Sequence, residues 1–409
     1  MVYTQLYYLV SLNFMEIIII SILQNPKQMK HIFFQIITFL LFCIPFFSLN
    51  AQLKNPKNIP YKWETDTLNK TLNLSEITVA VPRNTFPAID YPNFIGKTEG
   101  LNSFFKHEPV ISVYIKGEAK AYPLNMLTMH EISNDSLGGI PILPTYCPLC
   151  NSSMVYDRRL THKGKEYLLD FEVSGMLRNS DMIMADKQTE TWWQQLMGTG
   201  LVGVLAGADL TIIPSMVISV NDFFERYPKG KILSPKTGTN AQSSYGKNPY
   251  VNYDSKDNLP YDMYFDLEKL DSRLLPMERI IDIKGTDGYK IYPFSIIAKK
   301  GVINDVYSGK NIVIFYKEGT VSVLDSKDIS KSKAIGSATV FSSILEGKHL
   351  IFKKKNGVFI DTKTKSVWDI TGRCIDGKLK GKILIPEAHS NHFAFAWLTF
   401  HPESEIYKN

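Results

Sequence analysis

Short runs of β-branched and aromatic residues recur along the chain between turn-forming residues, at 77–81, 110–115, 140–146, 167–173, 312–316 and 349–352. Runs of this length and composition, bounded by Gly, Pro, Asn and Asp, predict β-strands. A helical apolar period is rarer. It is clearest at 220–227 and 391–400, where aromatic residues gather on one face. The pattern predicts an α+β, β-rich protein. Strand–helix alternation with a glycine-rich phosphate loop is missing, which argues against a dinucleotide fold.

The N-terminal region is patterned differently. Met29-Lys30-His31 precedes the apolar stretch 32–47, broken by Gln35, and the small residue Ala51 follows shortly after. A basic start, an apolar core and a small residue read as a secretory signal cleaved near Ala51, with translation starting at Met29. The apolar run is short for a membrane span and lacks a charged stop-transfer cluster. A second apolar patch at 17–20 leaves the alternative of a membrane anchor, if residues 1–51 are retained. Cys43 follows the bulky Phe42, which speaks against a lipid-modified cysteine. Cleavage would leave a periplasmic or secreted chain in an oxidising compartment.

The patterning also repeats. Ala121-Tyr122-Pro123-Leu124 precedes Asn134-Asp135, and Ile291-Tyr292-Pro293-Phe294 precedes Asn304-Asp305, at a constant offset. The stretch from Asp186 through Thr189 to Trp193 is echoed from Asp361 through Thr364 to Trp368, and each half closes on an aromatic helix and a proline. Several matches in one order predict two diverged structural repeats packed as one unit. The expected organisation is a signal segment at 1–51, a polar tether at 52–75, a first repeat at 76–234, a polar Tyr- and Asp-rich excursion at 235–278, and a second repeat at 279–409. An excursion of that length is a functional-loop candidate.

The sharpest chemical feature is Tyr146-Cys147-Pro148-Leu149-Cys150-Asn151. Two thiols separated by two residues can face one metal ion or form a disulfide, structural or exchangeable. Ser152–Tyr156 reads as a strand, so the pair sits on a strand–turn–strand knuckle of the kind found in rubredoxin-like and zinc-ribbon proteins. That knuckle needs further ligands, and no second Cys-x-x-Cys exists. The matching turn in the second half is Lys317-Glu318-Gly319-Thr320, so the repeat itself does not require cysteines. His130 is the candidate third ligand or general base, against the alternative of a histidine packed over the strands. Its counterpart is Lys300.

Further candidates are ligand-binding. Arg178 can clamp a carboxylate or phosphate, or pair with Asp181 or Asp186. Trp193, beside Trp192, can line a sugar or aromatic site, although the recurrence at Trp368 favours core packing. Asn134 and Asp135, recurring as Asn304 and Asp305, read as turn formers. Cys374 reads as a buried or free thiol, and His389 with His392 as a weaker ligand pair.

Composition narrows the classes. The 409 residues include 46 basic and 40 acidic side chains, for a net charge of +6, with both signs interspersed. That mild excess gives no reason to expect a nucleic-acid partner. Four cysteines exclude a disulfide-dense scaffold. The partners expected are a small molecule or metal ion, with a membrane contacted only through the targeting segment.

The string His130-Glu131-Ile132-Ser133-Asn134-Asp135, then Gly138-Gly139 and Thr145-Tyr146-Cys147-Pro148-Leu149-Cys150, resembles a bacterial family of uncharacterised exported proteins, domain of unknown function 3179. Ser174-Gly175-Met176-Leu177-Arg178-Asn179-Ser180-Asp181, Pro276-Met277-Glu278-Arg279 and His392-Phe393-Ala394-Phe395-Ala396-Trp397 carry the same resemblance, which spans about 77–407. Asn151 departs from it, since the family usually has Gly there. The resemblance implies membership and no activity. The leading expectation is therefore a transition metal (zinc, copper or iron) on Cys147, Cys150 and His130, with an open position. The alternatives are a periplasmic thiol–disulfide oxidoreductase, or a non-enzymatic ligand- or polysaccharide-binding module using Arg178, Asp181 and Trp193.

Overall fold

Prolines and short apolar runs set the local plan. Pro123 and Pro293 hold extended backbone at the N-caps of two seven-residue helices, Leu124–His130 and Phe294–Lys300. Proline's fixed φ suits that junction. The computed structural model describes residues 62–408, which fall within one compact unit. The predicted signal and residues 52–61 of the tether lie outside the described residues.

The fold is β-rich, with several sheets and five α-helices among the described residues. Strands Pro109–Ile115, Ile140–Cys147 and Lys310–Lys317 lie where the apolar runs predict them. The run at 167–173 is split between Lys165–Leu168, which pairs with Arg159–His162, and Phe171–Arg178, which pairs with Asp181–Asp186 in another sheet. The run at 349–352 is divided similarly. Helix Val220–Arg226 forms as expected, with the Ser219 hydroxyl accepting from the Asp222 amide at its start. The helix expected over 391–400 begins only at Ala394, since Asn391–Phe393 is drawn into a sheet. Helices Lys97–Ser103, Leu124–His130 and Phe294–Lys300 are too short to show a clear period in sequence.

An eight-stranded sheet runs through the unit. Its order is Ile89–Asp90, Ser133–Leu137, Ile140–Cys147, Ser152–Asp157, Asn391–Phe393, Arg279–Lys284, Tyr289–Pro293, Glu405–Ile406. Asn391–Phe393 is the seam, pairing with Ser152–Asp157 on one side and Arg279–Lys284 on the other. A five-stranded sheet contains Phe171–Arg178, Asp181–Asp186 and Trp192–Gln194, and it brings Asp181 towards the cysteine turn. Both cysteines lie in the largest apolar core.

Asn134 and Asp135 are not turn formers. They sit in strand Ser133–Leu137 and clamp neighbouring elements. The Asn134 side chain donates to the Phe171 carbonyl and accepts from its amide, both at 2.8 Å, while Asp135 receives the Tyr122 hydroxyl at 2.6 Å. Asn304 does the same to Phe352, and Asp305 receives Tyr292. Asp186 likewise accepts from Thr189 and the Trp193 indole, and Asp361 from Thr364 and Trp368. Buried polar groups paired in this way hold sheets in register. No helix among the described residues is long and apolar enough to cross a membrane.

Candidate functional site

The cysteine turn is built as the sequence suggests. Strand Ile140–Cys147 leads into the short 3₁₀ turn Pro148–Cys150 and out along Ser152–Asp157. Asn151 closes the turn in the left-handed region, at φ 48°. Asn tolerates that conformation better than most side chains, which explains how it can stand where glycine is usual.

The third group beside the thiols is Asp181. Cys147, Cys150 and Asp181 each offer a ligand atom, and these lie within 4.8 Å of one another, all buried. A two-residue hairpin turn delivers the aspartate: Asn179 and Ser180 both have positive φ, and Arg178 pairs with Asp181 across it. One carboxylate oxygen is fixed by the Gln194 amide at 2.7 Å and the Leu196 backbone N–H at 2.9 Å. The other, Oδ1, is buried with no N–H or O–H partner, leaving the two thiols as the groups beside it. Burial pushes the Asp181 carboxyl up to about 6, against the opposing pull of Leu196, Gln194 and the two thiols. Burial also raises both thiols above the usual cysteine range. A buried anionic triad of this kind needs a compensating cation or must hold protons.

Glu131 stands next to this cluster. It caps helix Leu124–His130 at φ 57°, a position filled in helix Phe294–Lys300 by Gly301 at φ 70°. Its carbonyl accepts from the Tyr146 amide at 2.8 Å, which ties it to the strand carrying Cys147. Burial, with the neighbouring Asp181 charge, pushes its carboxyl up to about 8. No residue among those described hydrogen-bonds that carboxyl. It faces a cavity of about 320 Å³, lined in part by Leu149, Met182, Tyr250 and Tyr264. Sequence reasoning missed Glu131 as a site residue. The available signal was a bulky acid after His130 where glycine follows Lys300.

His130 is turned elsewhere. Its Nδ1 is 2.6 Å from the Pro87 carbonyl and its Nε2 is 2.6 Å from the Tyr245 hydroxyl. The carbonyl can only accept, so Nδ1 carries the proton and Tyr245 donates to Nε2. Burial holds its pKa below the usual imidazole range, and it is not in the thiol–aspartate group. The Arg178 guanidinium bonds neither the Asp181 nor the Asp186 carboxylate; it binds Glu76 at 2.8 Å and reaches Gln194 at 3.4 Å. Trp193 is fully buried, with its indole N–H on Asp186. Cys374 is buried and unbridged. His389 lines a separate cavity of about 490 Å³, whereas His392 is buried 3.4 Å from Asp282.

The excursion covers the turn. The Tyr253 hydroxyl donates to the Leu149 carbonyl at 3.0 Å, and the Ser180 amide donates to the Tyr264 carbonyl at 3.0 Å. Asp254, beside Tyr253, accepts from Arg279 and Lys333, both at 2.8 Å, and from Ser322 at 2.6 Å.

Compared with known proteins, residues 83–404 match the model of a family described as protein of unknown function (DUF3179). No curated protein and no solved structure matches the chain.

Proposed function

Because the chain belongs to the DUF3179 family over residues 83–404, and that membership brings no activity with it, we propose a function from the site alone. The protein is a metal-dependent enzyme whose single transition-metal ion is held by Cys147, Cys150 and Asp181, with Glu131 as the adjacent proton-transfer group. The observation that carries this reading is the buried Asp181 Oδ1, which has no N–H or O–H partner, beside two buried thiols.

Two thiolates and a carboxylate favour zinc, or iron, over copper(I), because the oxygen ligand is hard. Three protein ligands leave a fourth position for water or substrate, the arrangement of catalytic rather than structural zinc. A metal there supplies Lewis acidity and an acidified bound water. Glu131 then holds or gives up a proton beside it, which suits hydrolysis of a polarised bond. The raised thiols run against a thiol–disulfide exchanger, which needs a low-pKa cysteine.

Metal analysis of untagged protein is the test. Wild type is expected to hold about one zinc or iron per chain. Cys147→Ser/Cys150→Ser and Asp181→Asn are expected to lose it, while His130→Gln keeps it. Equally little metal in wild type and in the double cysteine variant would sink the assignment.

We further infer that the two halves descend from a duplication, supported by the repeated Asn, Asp and Trp clamps, and that only the first half kept the chemistry. The pattern at 29–51 supports export, which N-terminal sequencing of the mature protein checks. In an oxidising compartment a bound metal would keep Cys147 and Cys150 from bridging.

A further inference from the structure

Two sheets of the chain share a local plan and differ in what covers them. In the five-stranded sheet, Asp186 lies opposite Phe171 and accepts from Thr189 and the Trp193 indole. A four-stranded sheet holds Phe352–Lys355, Val358–Asp361, Val367–Trp368 and Cys374–Asp376. There Asp361 lies opposite Phe352 and accepts from Thr364 and the Trp368 indole. Pairing outward from these clamps sets Ile183, Ala185 and Trp192 against Val358, Ile360 and Val367. It also sets Glu172 against Lys353, and Glu190 against Lys365. The last two both have positive φ, with amides on the Asp186 and Asp361 carbonyls.

The first face is covered. Ile183, Ala185 and Trp192 are at most 2% exposed and pack with Ile77 and Val79. Trp63 meets Trp192 edge-on, with ring centroids 5.6 Å apart. Arg83 locks this cover in place. Its guanidinium bonds Glu172 and, at 2.8 Å, Glu190, and it lies 4.1 Å above the Trp63 ring.

The second face is open, and its anchor positions carry the opposite charge. Val358 is 37% exposed, Ile360 and Val367 are half-buried, and none of the three joins a core cluster of the described residues. Lys353 and Lys365 are exposed, and no carboxylate among the described residues pairs with either. Segment 63–84 of a second copy does not suit this face, because Arg83 would meet two lysines. Residues 1–61 do not suit it either, since they carry Lys27, Lys30, Lys54 and Lys57 against the single acid Glu16. Complementary charge points to an acidic occupant from another protein.

We propose that this face docks an extended acidic segment of a partner protein. Apolar side chains of the segment cover Val358, Ile360 and Val367, and a carboxylate takes the place between Lys353 and Lys365 that Arg83 takes between Glu172 and Glu190. Extended peptides are commonly held on sheets in this way, with side-chain pockets giving selectivity.

The probe is a labelled peptide of residues 62–84 of this chain carrying Arg83→Glu, with the native peptide as control. Each is titrated by fluorescence anisotropy against the full chain and against Lys353→Glu/Lys365→Glu. The covalently attached segment keeps the first sheet closed to both peptides. The full chain is expected to bind the Arg83→Glu peptide saturably and at least about tenfold more tightly than the native one. The double variant is expected to reverse that preference, a gain of binding that misfolding would not produce. An unreversed preference, or no binding of either peptide, overturns the proposal and leaves the lysines as a guard against edge-to-edge pairing. Phosphatidylglycerol vesicles are titrated alongside. Vesicle binding that the double variant loses, with neither peptide bound, gives the face to a lipid surface and overturns the peptide occupant.

Discussion

Glu131 combines two unfavourable features at one position. A bulky side chain occupies a left-handed backbone conformation that Gly301 fills in the second half, and its carboxyl is buried without a partner. Conformations of this kind cost on the order of 1–3 kcal/mol and persist where the surroundings hold them in place. Replacing the residue with glycine relieves both the backbone and the desolvation terms, and only part of that gain is offset by the freer unfolded chain. Glu131→Gly is therefore expected to raise stability by about 1 kcal/mol, read from urea unfolding. The same variant is expected to keep its metal, since Glu131 is not among the three ligands. A variant less stable than wild type would mean that the glutamate serves the fold.

At the scale of elements, the polar stretch 235–278 behaves as a strap. It has only two short 3₁₀ segments, Asn240–Ser244 and Leu267–Lys269. Its hold combines backbone bonds, from the Asn248 and Asn252 amides to the Lys327 and Asp325 carbonyls, with two side chains: Tyr253 on the cysteine turn and Asp254 on Arg279 and Lys333. Burial alone would raise the Asp254 carboxyl, but Arg279, Lys333 and Ser322 outweigh it and hold the pKa below the usual range. Asp254→Asn leaves the Arg279 guanidinium buried without its counter-charge, a change expected to cost about 3 kcal/mol. Limited proteolysis should then cut within 249–264 before the rest of the chain unfolds. Cleavage no faster than in wild type would show that the strap is held by its backbone bonds and tyrosines instead. The strap also shows what a sequence can and cannot reveal. Its length marked it as a functional-loop candidate, and the strand–turn–strand around Cys147 and Cys150 was readable from local pattern. Asp181 was legible as a ligand-binding candidate beside Arg178 and not as a partner of the thiols, because its approach to them depends on pairing between sheets. His130 was misjudged for the same reason. Helix Leu124–His130 fixes it near the turn in sequence, yet Pro87 and Tyr245, from distant segments, take both ring nitrogens.

For the whole molecule, buried carboxyls away from the thiols make stability depend on pH. Glu108 is almost fully buried, bonded by the Asn125 amide and placed where its carbonyl receives Val220, the first residue of helix Val220–Arg226. Burial pushes its carboxyl up to about 8 from an ordinary value of 4.5. The folded state thus keeps a proton that the unfolded state has released between those two pH values. Stability is full below about 4.5, falls as pH rises towards 8, and then levels off. Glu108→Gln, which keeps the shape and the hydrogen bond without a titrating group, should flatten much of that fall in urea midpoints taken from pH 5 to pH 8. A profile unchanged by the substitution would place the titration elsewhere, with Glu131, which has the same direction of shift, as the next group to replace. Metal binding acts with the opposite sign, because two thiols and a carboxyl must lose protons to ligate. The rise in melting temperature on adding zinc to metal-stripped chain is therefore expected to grow from pH 6 to pH 8. A rise that shrinks over that range would count against thiolate ligation at Cys147 and Cys150.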